Sequence, residues 1–322
     1  MTDFSRDDLT DTMSSFEAAV SAPHVQIPAI APRVVLLALD GTNQDPAALA
    51  LSVAVANRAG AAEMHLTYAY EGPSEPAREH YLAERAGELS ARAGGLTTTH
   101  SRPHVPAGAA PPRSFHQILE LATQRNCDLI VMPAPYLDDY VQLGTTSTGT
   151  NLDMLLRHRR TPLLVVREAY PAIERCLDHL IVPLNLVTKR GTDVLAWAFR
   201  LAVPGSATVH LVATADTQGI AAVAPAAGGA VRDHDIDELE LAGLAHGPAA
   251  GLVAAAQRRA ADLNVACRVS VRTGQPLEQL LAFTRQQERS LILTGCPESC
   301  SATGYLQVQA LIRESPDPVM VI

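Results

Sequence analysis

Two short spacings in the sequence bring together residue types that bind metals. Cys296 and Cys300 are separated by three residues, and His100 and His104 have the same separation. A structural zinc site needs four Cys or His ligands. No second cysteine pair lies near the first pair, and no carboxylate or cysteine is placed with the second. We therefore interpret both pairs as loop residues and expect no metal site.

The usual sequence motifs for phosphate binding and for nucleophilic catalysis are missing. The sequence contains no Gly-x-Gly-x-x-Gly fingerprint, no Gly-x4-Gly-Lys-Ser/Thr loop and no Gly-x-Ser-x-Gly turn. No catalytic base or metal ligand set is evident either. These observations predict a protein that binds other molecules and is not an enzyme.

The order of apolar runs and helical patterns indicates the fold class. Val34–Leu39 is a continuous apolar run of strand length, as expected for a strand buried on both faces. Strand and helix patterns alternate from there to Val166, which predicts a parallel sheet with helices on both faces. We expect the runs at 34–39 and 128–132 to be the central strands.

The same order then begins again, so the chain is predicted to be a tandem duplication. Residues 155–166 and 311–321 both run from a helix end through a short turn to a strand that proline introduces. The expected fold is α/β, with two doubly wound, mostly parallel five-stranded sheets. The predicted domains span residues 33–167 and 178–322, and a linker at 168–177 joins them.

The first 32 residues differ from the rest of the chain. Residues 1–21 are predicted to form an amphipathic helix, and residues 23–32, with three prolines, an extended tether. Neither predicted sheet requires this segment, so we expect it to serve an interaction. Its surface is either the body of this chain, a second copy or another protein. The apolar stripe consists of Phe4, Leu9, Met13, Phe16 and Val20.

Taken together, these features resemble the universal stress protein family in its tandem, two-domain form. The matching residues are the strand end at 38–42, the strand at 128–132, Gly149-Thr150 before a helix, residues 274–276 before another helix, and the strand at 318–322. The resemblance implies that the last strands of the two halves, 163–166 and 319–322, lie together where the halves meet.

The resemblance also implies a nucleotide site in the first half. Family members that bind ATP carry Gly-x2-Gly-x9-Gly-Ser/Thr, whose small residues let backbone N–H groups approach phosphates at a helix start. By this resemblance Asp40 contacts the adenosine portion of ATP or AMP, and Gly149 and Thr150 contact its phosphates. Tyr136 and Asp139 replace the first two glycines, so we interpret the site as degraded.

Further departures affect both halves. Pro133 stands after the fourth strand where the family has glycine, which removes an N–H donor. Residues 144–147 offer a different phosphate-facing loop in the first half. In the second half Asn185 replaces the aspartate, and Tyr305 and Leu306 stand where Gly-Ser is expected. We predict no nucleotide in the second half.

Composition narrows the remaining classes of function. The chain has 25 basic and 34 acidic residues, a net charge of −9, which argues against a generic nucleic-acid binder. No apolar run approaches the length of a membrane span, and the start shows no secretory signal. Five cysteines, an odd number, favour a reducing, cytoplasmic location.

Two functional hypotheses remain open at this point. The first is a sensor that binds ATP or AMP in its first half and reports occupancy through its shape or its choice of partner. The second is a protein–protein interaction module that has lost the nucleotide and docks on a partner, or on a second copy, through its N-terminal helix or its domain faces. Likeness of fold alone does not choose between them.

Overall fold

The computed structural model describes most of the chain, with gaps in several loops. The described residues are 25–70, 75–101, 113–136, 148–167, 170–184, 190–203, 205, 207–215, 250–296 and 302–322. The predicted N-terminal helix, the alternative phosphate-facing loop at 144–147, and Asp139, Asn185, His104 and Cys300 lie outside these residues.

Strands and helices alternate through both halves, as the apolar pattern predicts. The first half contains β1 (Val34–Leu39), α1 (Asp45–Ala59), β2 (Glu63–Tyr68), α2 (Pro76–Arg92), β3 (Thr97–His100), α3 (Ser114–Gln124), β4 (Leu129–Pro133), α4 (Thr150–His158) and β5 (Leu163–Val166). After a 3-10 helix (Ile173–Asp178), the second half contains β6 (His179–Pro183), α5 (Gly191–Ala202), β7 (Thr208–Ala215), α6 (Ala250–Leu263), β8 (Ala266–Thr273), α7 (Pro276–Gln286), β9 (Leu291–Thr294), α8 (Ala302–Glu314) and β10 (Val319–Val321).

The two predicted five-stranded sheets join into one sheet of ten strands. Its order is β3-β2-β1-β4-β5-β10-β9-β6-β7-β8, and every pair within a half is parallel. The last strands of the halves, β5 and β10, pair antiparallel, with Leu164 opposite Met320. The α/β fold and the meeting of the last strands are therefore confirmed.

The central strands are buried because helices cover both faces of the sheet. In β1, Val35, Leu37 and Leu39 face a core shared with α1, α2, α5 and α6. Leu36 and Ala38 face the opposite core, which α3, α4, α7 and α8 cover. All five side chains are fully buried. A strand with apolar neighbours on both faces needs no polar alternation, which explains the continuous apolar run.

The segment predicted to link the halves packs against both of them. Its 3-10 helix buries Ile173, Cys176 and Leu177 in the core shared with α1 and α5. Arg58 of α1 donates to the carbonyl oxygen of Leu177 at 2.6 Å and forms an ion pair with Asp178 at 2.9 Å. The exact domain boundaries stay a prediction. The junction itself is packed into the core of the protein.

One polar position repeats in both halves. His65 of β2 lies opposite Leu36 of β1, and His210 of β7 lies opposite Ile181 of β6. On their other sides, Leu36 pairs with Ile130 of β4 and Ile181 pairs with Ile292 of β9. The two histidines therefore occupy equivalent sites of the duplication. Both are buried.

The two rings have different hydrogen-bonding partners. The ring nitrogens of His65 lie 2.6 Å from the hydroxyl of Thr99 and 2.8 Å from that of Ser101. His210 instead has its Nε2 at 3.1 Å from Nδ1 of His179. Burial is the main cause that lowers the pKa of each of the two buried histidines to about 4, and nearby positive or titrating groups add to it.

Acidification should therefore destabilise the protein through these histidines. Between pH 6.5 and 4 the unfolded chain binds a proton at His65, whereas the ring in the folded chain stays neutral. Proton binding therefore favours the unfolded state, and the free energy of unfolding falls as the pH falls. We expect His65→Gln to flatten this dependence by up to about 1.4 kcal/mol per pH unit. Urea unfolding between pH 4.5 and 8 measures it.

The internal control is the range above pH 7, where the ring is neutral in both states and the two curves should run parallel. His210→Gln should behave in the same way in the second half. Wild-type and variant curves that stay parallel down to pH 4.5 would contradict the assignment of the neutral, buried ring.

Candidate functional site

Strand order in the first half places its candidate site at the end of β1. β1 and β4 are neighbours, and the chain leaves β1 towards β2 on one side but leaves β4 towards β5 on the other, so the two connections run in opposite directions. In open parallel sheets, ligands bind outside the carboxyl ends of the strands at such a switch point. Asp40 follows β1 directly, and Gly149 and Thr150 begin α4, which follows β4 in the chain. The structure brings these predicted residues to one edge.

Asp40 is held inside a tight turn. Its side chain is 4% exposed, and its Oδ1 accepts a hydrogen bond from the N–H of Thr42 at 3.0 Å. Gly41 has a φ of 84°, and a Cβ there would lie 2.8 Å from the hydroxyl oxygen of Tyr68. That hydroxyl donates to the carbonyl oxygen of Asp40 at 3.0 Å. The turn therefore requires glycine, and it directs Asp40 inward.

A second carboxylate, which the sequence analysis missed, lies beside the first. Asp45, the first residue of α1, is fully buried and accepts from the hydroxyl of Tyr81 at 2.6 Å and from the N–H of Gly41 at 2.8 Å. Burial raises the pKa of Asp45 to about 7; the Tyr81 hydrogen bond opposes this rise, and the nearby charge of Asp40 adds to it. An acidic residue in a first helical turn was the available signal.

Tyr136 fills the space at the ends of β1 and β2. Its side chain is fully buried. Its hydroxyl donates to the carbonyl oxygen of Leu39 at 2.6 Å and accepts from the N–H of Ala69 at 3.2 Å. The carbonyl oxygen of Ala69 also lies 3.2 Å away. One phenol thus uses backbone groups of both neighbouring strands, directly beside Asp40.

The start of α4 is held against Tyr136. The side-chain amide of Asn151 donates to the carbonyl oxygen of Tyr136 at 3.3 Å. Gly149 is buried with a φ of 94°, whereas Thr150 is exposed. Tyr136 therefore contacts both parts of the predicted nucleotide site, the β1 end through its side chain and the helix start through its backbone.

Asp153 places a negative charge in the first part of α4. Its carboxylate accepts from the hydroxyl of Thr148 and from the amide of Gln309 at 2.6 Å. Its carbonyl oxygen accepts from the hydroxyl of Tyr305 at 2.9 Å. A carboxylate near a helix N-terminus stabilises the helix, as a bound anion would. The second half thus supplies two side chains that fix this helix.

Tyr305 shows what replaced the expected Gly-Ser in the second half. It is buried against α4, and the guanidinium of Arg157 lies 5.0 Å from its ring centre, whereas Leu306 is 55% exposed. Since α8 begins at Ala302, Tyr305 and Leu306 lie within the helix and not at its start. The predicted absence of a nucleotide from the second half stays a prediction.

Neither a metal cluster nor a membrane helix occurs in the part of the chain that the structure describes. No group of three or more His, Cys, Asp or Glu residues is placed to hold a metal ion there. No helix among the same residues is long and apolar enough to cross a membrane. Cys127, Cys176, Cys267 and Cys296 all carry free thiols.

Comparison with known proteins bears on the fold. No protein-family model and no curated protein matches the sequence. Solved structures do match over nearly the whole chain, among them a universal stress protein from Archaeoglobus fulgidus, at 14% identity and a TM-score of 0.57. That match covers 89% of this chain and 95% of the other. The chain has the universal stress protein fold.

Two structures from Pseudomonas aeruginosa agree with this result. A putative universal stress protein matches at 13% identity and a TM-score of 0.59, over 91% of this chain and 93% of the other. A functionally unknown protein matches at 14% identity and a TM-score of 0.60, over 91% and 92%. Because each match spans both halves, the universal stress protein fold is present here in its tandem form.

The buried hydroxyl of Tyr136 should contribute measurably to stability. Tyr136→Phe leaves the N–H of Ala69 and the carbonyl of Leu39 without this partner inside the protein. We expect the free energy of unfolding to fall by about 1–3 kcal/mol in urea titrations. Tyr68→Phe, which removes one bond to the carbonyl of Asp40, is the matched control and should cost less. Equal losses in the two variants would contradict the role given to the Tyr136 hydroxyl.

Proposed function

We propose that this chain is a regulatory protein of the universal stress type that acts by binding other proteins, with its first nucleotide crevice closed by its own Tyr136. The observation that carries this proposal is the complete burial of the Tyr136 side chain at the switch point. The free cysteines, of which Cys127, Cys176 and Cys296 are buried, and the composition support a reducing, cytoplasmic setting.

The Tyr136 side chain is a flat ring with a polar tip. The base of a bound nucleotide would present a similar shape at this edge. A ligand there needs the volume that the phenol occupies and the backbone groups of Leu39 and Ala69 that its hydroxyl uses. The ring and a base cannot share that volume, because protein interiors are closely packed. Tyr136 therefore acts as an internal substitute for a ligand.

The anion end of the predicted site supports the same proposal. Asp153 already places a carboxylate near the start of α4, where it is bonded to Thr148 and Gln309. A phosphate beside this carboxylate would be repelled, and the favourable interaction with the helix dipole is already used. Both ends of the site thus hold groups from the chain itself.

The second candidate function is the adenine-nucleotide sensor. The inward-facing Asp40 and the exposed Thr150 at a helix start favour it, because these residues lie at the edge where ATP or AMP would bind. This function requires the Tyr136 ring to leave the crevice before the ligand enters. The two candidate functions therefore differ in whether the Tyr136 side chain stays in the crevice.

Calorimetry with ATP and AMP distinguishes the candidates. We expect no binding to the wild-type protein at millimolar ligand, and binding to Tyr136→Gly, which restores the small residue of the nucleotide motif. Adding Asp40→Ala to that variant should remove the binding, and Asn185→Ala, at the equivalent site of the second half, should leave it unchanged.

The opposite pattern would establish the sensor. Binding by the wild-type protein that both Asp40→Ala and Gly149→Val weaken sharply would overturn the closed-crevice proposal. Analysis of nucleotide released by heating the purified protein gives an independent check, because a resident ligand would appear there without any titration.

A further inference from the structure

Described residues form a cleft where the N-terminal tether crosses the second half. Ile27 and Ile30 of the tether form one wall, and Phe199 and Val203 of the α5 region with Leu263 of α6 form the other. Its volume is about 130 Å³, room for one large apolar side chain. Val203 is 45% exposed, and among the described residues only Leu306 is another large apolar side chain with comparable exposure.

The tether is attached to this face over its described length. Ile27 and Ile30 pack against the core that α5 and α6 share. At the other end of the tether, a Cβ on Gly251 would lie 3.3 Å from the Val25 side chain, so Val25 lies against the first turn of α6. The 24 residues that precede Val25 therefore leave the described structure beside the helix that borders the cleft.

Charge on the two sides is complementary. Residues 1–24 contain five carboxylates and one arginine. On the cleft side, α6 contains two arginines, Arg258 and Arg259, and one acidic residue, Asp262. Arg200 and Arg259 both border the cleft itself. An acidic segment with an apolar stripe matches an apolar cleft flanked by guanidinium groups.

We propose that residues 1–24 dock on this cleft of the same molecule, with one side chain of their apolar stripe beside Val203 and their carboxylates towards Arg259. Val25 holds the segment within a few residues of the cleft, so its effective concentration there is on the order of millimolar, far above that of a second copy in dilute solution. The sequence left the surface for this segment open, and the structure assigns it to the second half.

A double-mutant cycle tests the docking. Val203→Asp is introduced into the full-length chain and into a chain lacking residues 2–24. We expect a loss of melting temperature of about 2–4 °C in the full-length protein, and under about 1 °C in the truncated one, where the cleft has no occupant to lose. Arg259→Glu should repeat this difference and lose it at high salt.

Leu306→Asp is the control, since this exposed side chain lies on α8, away from the cleft, and should have the same small effect in both backgrounds. Equal losses for Val203→Asp in the two backgrounds would overturn the docking. So would a Val203→Asp effect that appears only as the protein is concentrated, together with a dimer in light scattering, because the occupant would then be a second copy.

Discussion

The antiparallel pairing of β5 with β10 is the contact on which the whole molecule depends. Each half alone would end in a short, wholly apolar strand with one unpaired edge, and such edges promote aggregation. Joined, the two strands are buried at the centre of a ten-stranded sheet. The outer edges are then β3, made of three threonines and a histidine, and β8, which carries Arg268 and Arg272. Polar side chains at both edges protect the sheet against further pairing.

The same pairing brings α4 and α8 together, with the first part of α4 against the middle of α8. Asp153 of α4 and Gln309 of α8 occupy equivalent positions of the duplication, since Leu155 matches Leu311, and their side chains meet at 2.6 Å. The helix that would carry phosphates in a nucleotide-binding relative is here part of the joint between the halves. A residue placed for this joint is no longer available to a ligand, which agrees with the closed crevice.

The sequence predicted the parts of the fold that depend on apolar pattern. Continuous apolar runs identified β1 and β4 as central strands because burial on both faces leaves no polar alternation. The resemblance to the universal stress protein family predicted that β5 and β10 meet. Contacts between residues distant in the chain were not predictable in this way. The bond from Tyr136 to Leu39 spans 97 residues, and nothing in local spacing indicates that this tyrosine turns inward.

The candidate site likewise combines a residue that local pattern identified with one whose position depends on distant contacts. Asp40 was identifiable because it directly follows a buried strand, whereas Asp45 resembled an ordinary acidic residue in a first helical turn. Its burial depends on Tyr81, which comes from the next helix. The packing of the tether on α5 and α6 likewise depends on the second half lying beside the first, a relation that no local pattern carries.

Antiparallel joining also fixes the directions in which the two halves face. All strands of one half run opposite to those of the other, so the carboxyl edge of the first half lies on one rim of the sheet and that of the second half on the opposite rim. A flat partner surface can therefore reach only one of these rims at a time. A single partner that binds the carboxyl edges of both halves must therefore contact two opposite rims of the sheet. Otherwise, two partners must bind, one at each rim.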